Sequence, residues 1–475
     1  MDLPKKEYVW LLLPIDNSVR EFNAKLLLAV VAVEHGWGVI IAPKSIIRHD
    51  SSNIGGVVIE INMENEGRVD RHLSLGRRVC AWDEEGLIYL NSDLYCQRRL
   101  VKTAIRKMDF VFLWGENQFK DITKRIKGIE NKLILTGNPR FDLLRPDLRE
   151  FYSSGASLLR SKFGKYILIN TSFGFVNHYF GKDYTLRNLL ENEKVTTERQ
   201  ELDQIAGEKH QERIMQAFLA MLPMISTHFH EHKIIIRPHP SENFDTWRSA
   251  AKELPNVSMI HDGDANPWLL GADVIIHNSC TTGVQAFLLG KPVIAYMPFQ
   301  SDKYDQFLPN ALSYRAEDID QLYTLIRKLT SNASFGNQEL EQEKKLIAQK
   351  YIMGLEGPWV SDRIMDELEK LELNPKTLDP DTFYISSKNI KQHISIVKRL
   401  TNLFKSYNER FSLSKSKRSL QEKNWSTYTR QRIPSLSLKE IQADLGKLQK
   451  ITGRFSNTSV CIFKDEIVCI FPAKE

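Results

Sequence analysis

The stretch from Lys233 to Pro298 constrains this chain more than any other. Four apolar runs lie in it: Ile234–Ile236, Val257–Ile260, Val274–Ile276 and Val293–Tyr296. Each is short enough for a fully buried strand, and helix-like segments separate them, as parallel strands require. The alternation predicts half of a doubly wound α/β sheet, which binds ligands at the carboxyl ends of its strands. The polar residues fall at those ends. Arg237-Pro238-His239-Pro240 follows the first run, and His277-Asn278-Ser279-Cys280-Thr281-Thr282-Gly283 follows the third.

The preceding chain repeats the pattern. Tyr8–Leu13, a helix Glu21–His35 ended by Gly36, and Gly38–Ala42 open a Rossmann-like unit; Val57–Ile61, Arg78–Trp82, Phe110–Trp114 and Lys132–Leu135 extend it. These strands run into small polar loops that contain Glu84, Glu85, Asn117, Asn138 and Arg140. The expectation is an α/β chain with two Rossmann-like domains, 1–160 and 161–373, and a ligand cleft between them. The second opens with Tyr166–Asn170 and a loop bearing Asn177 and His178. A long helical region is expected over Glu191–Met221. Val360–Leu371 reads as an amphipathic helix able to cross back onto the first domain. Asn374-Pro375 and Asp379-Pro380 mark a boundary. Beyond it, 374–475 reads as an α+β appendage with a helix Ser437–Ile451 and a hairpin Val460–Phe471.

Composition narrows the setting. The five cysteines form no CxxC and no even set, which predicts reduced thiols in a cytoplasmic protein. The apolar runs near the N-terminus are too short to span a bilayer. The net charge of +6 is mild over 475 residues but is locally concentrated. Between Lys388 and Ile433 a dozen Lys and Arg face only Glu409 and Glu422, with Phe404, Tyr407, Phe411, Trp425 and Tyr428 interspersed. This stretch either docks on anionic lipid at the inner face of a membrane or forms a solvated basic face. Nucleic acid is not an expected partner, because no recognition module accompanies the charge.

Two loops carry chemistry. Prolines on both sides of His239 restrict its backbone, and an imidazole at a sheet's carboxyl edge suits a phosphate or a departing phosphate oxygen. A buried structural histidine with Arg237 in a salt bridge is the competing reading. Ser279, Thr281 and Thr282 stand at the N-terminus of a helix beginning near Gly283; they cap it, bind phosphate, or do both. His277 is expected to be packed. Arg20, Glu21 and Lys25 either cap a helix or reach the cleft. Glu84 and Glu85 form either a solvated acidic turn or a general base for an acceptor hydroxyl. Asp262-Gly263-Asp264 reads as a turn, and no Walker A, GxGxxG or HExxH pattern occurs.

These residues resemble GT-B glycosyltransferases that use CMP-activated acidic sugars, the bacterial sialyl-, polysialyl- and Kdo-transferases. Glu84-Glu85-Gly86 is similar to their acidic motif, His239-Pro240 to their HP motif, and Ser279–Thr282 to their Ser/Thr motif. Over about Tyr8 to Leu373 the chain also resembles the surface carbohydrate biosynthesis proteins. That likeness rests on Trp114-Gly115-Glu116-Asn117, Gly137-Asn138-Pro139-Arg140-Phe141-Asp142, the Asn170–His178 loop and the stretch from Lys233.

The resemblance implies sugar transfer from a nucleotide donor to an oligosaccharide or lipid-linked glycan, with no metal and no cofactor. By position in the motif it makes Glu84 the base, and it makes His239 the group on the leaving phosphate. Arg237, Pro240, Ser279, Thr281, Thr282 and Gly283 hold that phosphate, and Asn117, Asn138, Arg140, Asn177 and His178 contact donor or acceptor. The extra Asp83 leaves the base open between the two glutamates. The rival readings are a CDP-polyol phosphotransferase, a UDP-sugar 2-epimerase, and a non-catalytic polysaccharide-assembly factor.

Overall fold

The computed structural model describes residues 6–50, 52, 54–191, 195–331, 338–378, 436–464 and 466–473. The basic stretch 388–433 lies outside the described residues. The first lobe is built on β1 (Trp10–Ile15), β2 (Gly38–Pro43), β3 (Val57–Glu60), β4 (Arg78–Trp82), β5 (Val111–Phe112) and β6 (Leu133–Ile134). The second holds β7 (Tyr166–Asn170), β8 (Lys233–Arg237), β9 (Val257–Met259), β10 (Val274–His277), β11 (Val293–Tyr296) and β12 (Tyr314–Ala316). Each set is parallel throughout. The second sheet runs β12-β11-β10-β7-β8-β9, the doubly wound order that reverses between β7 and β10. The first reverses between β1 and β3. Two Rossmann-like lobes are therefore present, as the alternating runs predicted.

Strand β1 continues through Pro14 to Ile15, two residues beyond the expected end. Pro14 has no N–H to donate, but its pairing with β3 covers only Leu11 and Leu12, and its carbonyl accepts from Lys25 Nζ at 2.7 Å. The helix α1 (Ser18–Glu34) follows and buries Leu26–Val33 without a gap. Strand β5 is shorter than expected. Beyond it, Trp114 donates its N–H to Gln118 Oε1 at 2.8 Å and accepts from the Met353 N–H at 2.7 Å. Those bonds take the chain out of the sheet. The long helix runs from Glu198 to His228, starting later than expected because a Thr197/Gln200 capping box fixes its first turn.

The C-terminal region is not a separate body where it is described. Strands β13 (Thr458–Phe463) and β14 (Ile467–Pro472) form the expected hairpin, and β14 pairs antiparallel with β2, Val468 opposite Ile41 and Ile470 opposite Val39. An eight-stranded sheet results. The physical reason is edge protection: without the hairpin, β2 would expose a row of unpaired backbone groups. Cys461 and Cys469 face each other across this hairpin, unbridged. The helix Leu438–Thr452 buries Ile441, Leu445 and Leu448 in the apolar cluster that also holds α1.

The helix Val360–Leu368 does cross back to the first lobe. The Asp142 carboxylate accepts from the Val360 N–H at 2.8 Å, the Ser361 N–H at 2.9 Å and the Ser361 hydroxyl at 2.9 Å. Arg145 reaches the carbonyls of Gly354 and Gly357 at 2.9 and 2.7 Å. The strap before this helix lies so close that a Cβ at Gly115 would stand 2.4 Å from the Tyr351 carbonyl oxygen. One at Gly137, whose φ is +96°, would stand 2.4 Å from that of Met353. Among the described residues no helix is long and apolar enough to cross a membrane.

Asp142→Ala strands buried donors at a helix N-terminus. It is expected to lower unfolding stability by roughly 2 kcal/mol, measured as a reduced urea midpoint at unchanged m-value.

Candidate active site

A crevice of about 130 Å³ opens between the lobes at the carboxyl ends of both sheets. Arg140, Arg237, His239, Pro240, Thr281 and Thr282, predicted from different parts of the chain, all line it.

His239 is exposed on the crevice wall. The Ser241 N–H donates to its Nδ1 at 3.2 Å, with the Ser241 hydroxyl 2.7 Å away. That network assigns the neutral ring's proton to Nε2. Glu242, fully buried, shapes this loop: its carboxylate accepts from the His239 N–H at 3.0 Å, the Thr171 hydroxyl at 2.8 Å and Trp247 Nε1 at 2.9 Å. Burial pushes the Glu242 carboxyl up from its ordinary range.

Across the crevice floor, the helix Thr281–Leu288 begins directly after the β10 loop. Its first residues Thr281 and Thr282 form part of the wall, where helix N–H groups and the dipole favour an anion. Ser279, in the left-handed region at φ +48°, is held by Asn310 Nδ2 at 2.9 Å and does not line the crevice. Gly283 is also off the wall: a Cβ there would stand 2.5 Å from His277 Nε2, so the glycine serves close packing on that ring. His277 is buried, bonded to Ser313 Oγ at 2.8 Å, and burial pulls its pKa down to about 3.

Arg237 is less available than expected. It donates to the carbonyls of Asp262 (2.7 Å) and Gly263 and lies over the Trp268 ring at 5.8 Å. Burial lowers its pKa to about 10, against the pull of Asp264 and Asp262. The arginine thereby fixes the 262–264 loop, which carries Asp264 to the crevice. Asp264 caps the helix Ala265–Gly271 and accepts from Asn23 of α1 at 3.3 Å, joining the lobes.

The first lobe contributes two guanidinium groups. Arg20 lines the crevice and pairs with Glu85 at 2.7 Å. Burial opposes its charge, but Glu85 and Glu21 outweigh that and hold its pKa above the ordinary value. Arg140 donates to the Glu84 carbonyl at 3.3 Å, and burial pulls its pKa down. Glu84 itself lies beneath the wall: Oε1 accepts from Trp82 Nε1 at 3.0 Å and stands 3.2 Å from Lys25 Nζ. Glu85 is exposed beside Arg20. Asp83 is taken by Arg99.

The other predicted contacts lie off the crevice wall and meet groups of the protein. Asn117 stands 3.3 Å from Asp121 Oδ2. Asn138 caps the turn at Arg140, whose N–H it accepts at 3.0 Å. Asn177 bonds Asn243 and Thr246 at 3.1 and 2.7 Å. His178 stacks on Tyr184 at 4.3 Å, and burial lowers its pKa to about 4. None of the four lines the crevice.

Asn17, Asn170, His261 and Asp264 do line it without having been predicted. Asn170 carried a readable signal, a polar residue closing the apolar run Tyr166–Ile169. His261, bonded to the Pro238 carbonyl at 2.9 Å, had none.

Solved structures similar to this one include the UDP-GlcNAc 2-epimerase of Methanocaldococcus jannaschii, 11% identical over 76% of this chain and 99% of that one, TM-score 0.44. A variant of the wall teichoic acid polymerase TagF soaked with CDPG is 11% identical over 66% of this chain and 71% of that one, TM-score 0.39. Anabaena HepE with UDP and glucose is 11% identical over 77% and 100%, TM-score 0.39. No protein-family model matches the sequence, and no curated protein does. The scores are low, and the two-lobe assignment rests on strand order.

The buried His277 carries a pH prediction. Its folded pKa lies below the ordinary 6.5, so its contribution is present above pH 6.5 and lost as pH falls toward 3. Below pH 6.5 the urea-derived stability is expected to fall, this ring accounting for about 1.4 kcal/mol per pH unit. The decline is shallower in His277→Gln.

Proposed function

We propose that this chain transfers an acidic sugar, Kdo or another nonulosonic acid, from a CMP-activated donor to a surface-polysaccharide acceptor. The observation that carries the reading is the meeting of His239 and the Thr281–Thr282 helix tip in one interlobe crevice with Arg20 and Arg140. The donor phosphate rests at the helix tip, and His239 Nε2–H donates to the phosphate oxygen that departs. The guanidinium groups suit a planar sugar carboxylate. The acceptor oxygen attacks the anomeric carbon, the carbon–oxygen bond to phosphate breaks, CMP leaves, and a carboxylate takes the acceptor's proton. Of the two glutamates, Glu85, exposed beside Arg20, is the one an acceptor can reach, while the buried Glu84 holds Arg140 in place.

The test is mass-resolved turnover of CMP-Kdo, CMP-sialic acid, CDP-glycerol and UDP-GlcNAc with a glycan acceptor. CMP release from a CMP-linked acidic sugar is expected. His239→Ala and Glu85→Gln should each reduce it by about 10²–10⁴-fold. Consumption of UDP-GlcNAc alone, to its 2-epimer, overturns sugar transfer; CMP from CDP-glycerol alone replaces it with phosphotransfer.

The dozen basic residues of 388–433 dock the chain on anionic lipid, where lipid-linked acceptors reside. Co-sedimentation should be strong with vesicles containing anionic lipid and weak with neutral ones; equal binding removes the electrostatic attachment.

A further inference from the structure

The crevice holds a polar side chain that its own protein leaves unsatisfied. Asn170 closes β7, the strand at which the second sheet reverses direction, and is 2% exposed. Its strand partners in register are Arg237 of β8 and His277 of β10. It thus stands between the strand that delivers His239 and the strand that delivers the Thr281 tip. Neither its Oδ1 nor its Nδ2 has a hydrogen-bond partner within the protein, although both are sealed from solvent.

Such an arrangement is costly. A carboxamide buried without partners is destabilising, and native structures leave few groups in that state. The same position would accept leucine, whose shape is similar and which has nothing to satisfy. The rest of the strand, Tyr166–Ile169, is buried, and its one side-chain polar atom, the Tyr166 hydroxyl, donates to the Trp268 carbonyl at 2.8 Å. Other described side chains also hold a buried unpaired atom, but Asn170 has both its donor and its acceptor unpaired and lies on the crevice wall. Asn17 of the first lobe repeats the feature on a smaller scale: it lines the crevice and its Oδ1 is buried without a partner. Both lobes therefore bring an unpaired acceptor to one crevice, and Asn170 adds an unpaired donor.

The chemistry of these atoms selects what fills them. Guanidinium and helix N–H groups can donate to an amide oxygen as well as to a phosphate, but none in the protein reaches Asn170 Oδ1. That oxygen is therefore open to an O–H or N–H brought by the ligand, whereas the Asn170 amide hydrogens suit a phosphate oxygen. We infer that Asn170 is a ligand-contact residue that bridges the two parts of the donor, its Nδ2 donating to a phosphate oxygen and its Oδ1 accepting from a hydroxyl of the attached sugar. This rests on the nucleotide-sugar reading of the crevice and adds to it a residue that reads phosphate and sugar together. By the same logic, a ligand that brings phosphate without a neighbouring hydroxyl fills half of the Asn170 requirement.

Two measurements separate this inference from the reading beneath it. The first is urea unfolding of ligand-free Asn170→Leu. An unfolding constant equal to or below that of the wild type is expected, and a ten-fold or larger increase overturns the inference by revealing a structural partner. The second is calorimetric titration of wild type, Asn170→Leu and Asn170→Asp with CMP, UDP, CDP and inorganic pyrophosphate. At least a ten-fold weaker affinity is expected for both variants toward whichever probe the wild type binds, with Asp the weaker because it opposes the phosphate. Unchanged affinity overturns the inference. Binding of pyrophosphate but of no nucleotide ends the nucleotide-sugar reading, and a ten-fold loss for pyrophosphate in the variants still supports Asn170 as the contact.

Discussion

The buried ion cluster of Glu21, Lys25 and Glu84 is the interaction on which the site depends. Lys25 Nζ stands 2.7 Å from Glu21, 3.2 Å from Glu84 and 2.7 Å from the Pro14 carbonyl, above the Trp82 ring. It thereby ties the end of β1, the first turns of α1 and the end of β4. Such a cluster is weak evidence for net stability, but removal of one member leaves a buried charge and is typically worth 3–5 kcal/mol. Its value lies in placement. Arg20 leaves α1 one residue before Glu21, and Arg140 rests on the Glu84 carbonyl, so the two guanidinium groups that the first lobe brings to the crevice follow from where Glu21 and Glu84 are held, with the exposed Glu85 as a further partner of Arg20.

How much of this was legible in the sequence follows from what each residue does locally. The apolar runs placed the strands because a parallel strand buried on both faces has no other composition available. His239, Thr281 and Thr282 were legible because a polar residue at the carboxyl end of such a strand lies at the ligand-binding edge. The hairpin was legible, but its pairing was not, since nothing local in Val468–Ile470 names β2 as its partner. Gly115 and Gly137 stood out as a pattern without revealing their cause. That cause is a strap more than two hundred residues away, whose carbonyls lie where a Cβ would be.

Asn117, Asn138, Asn177 and His178 were expected at the crevice and lie off its wall. Each lies in a polar loop after a strand, where ligand contact and loop scaffolding have the same appearance in sequence. The structure separates them by place: none lines the crevice, Asn177 is engaged with the Asn243 carbonyl and Thr246, and Asn138 Oδ1 caps a turn while its Nδ2 is buried without a partner. Asn170, at a strand's end on the crevice wall, has neither side-chain atom paired.

The antiparallel seam between β14 and β2 has a consequence for how the polypeptide is made. The first lobe begins within the opening residues, yet its outermost strands are contributed by Thr458–Phe463 and Ile467–Pro472. At ribosomal rates of about 5–20 residues per second, β2 waits tens of seconds for its neighbour. Over that interval the nascent lobe presents an open strand margin to other chains, a period of exposure that closes only when Ile467–Pro472 has emerged.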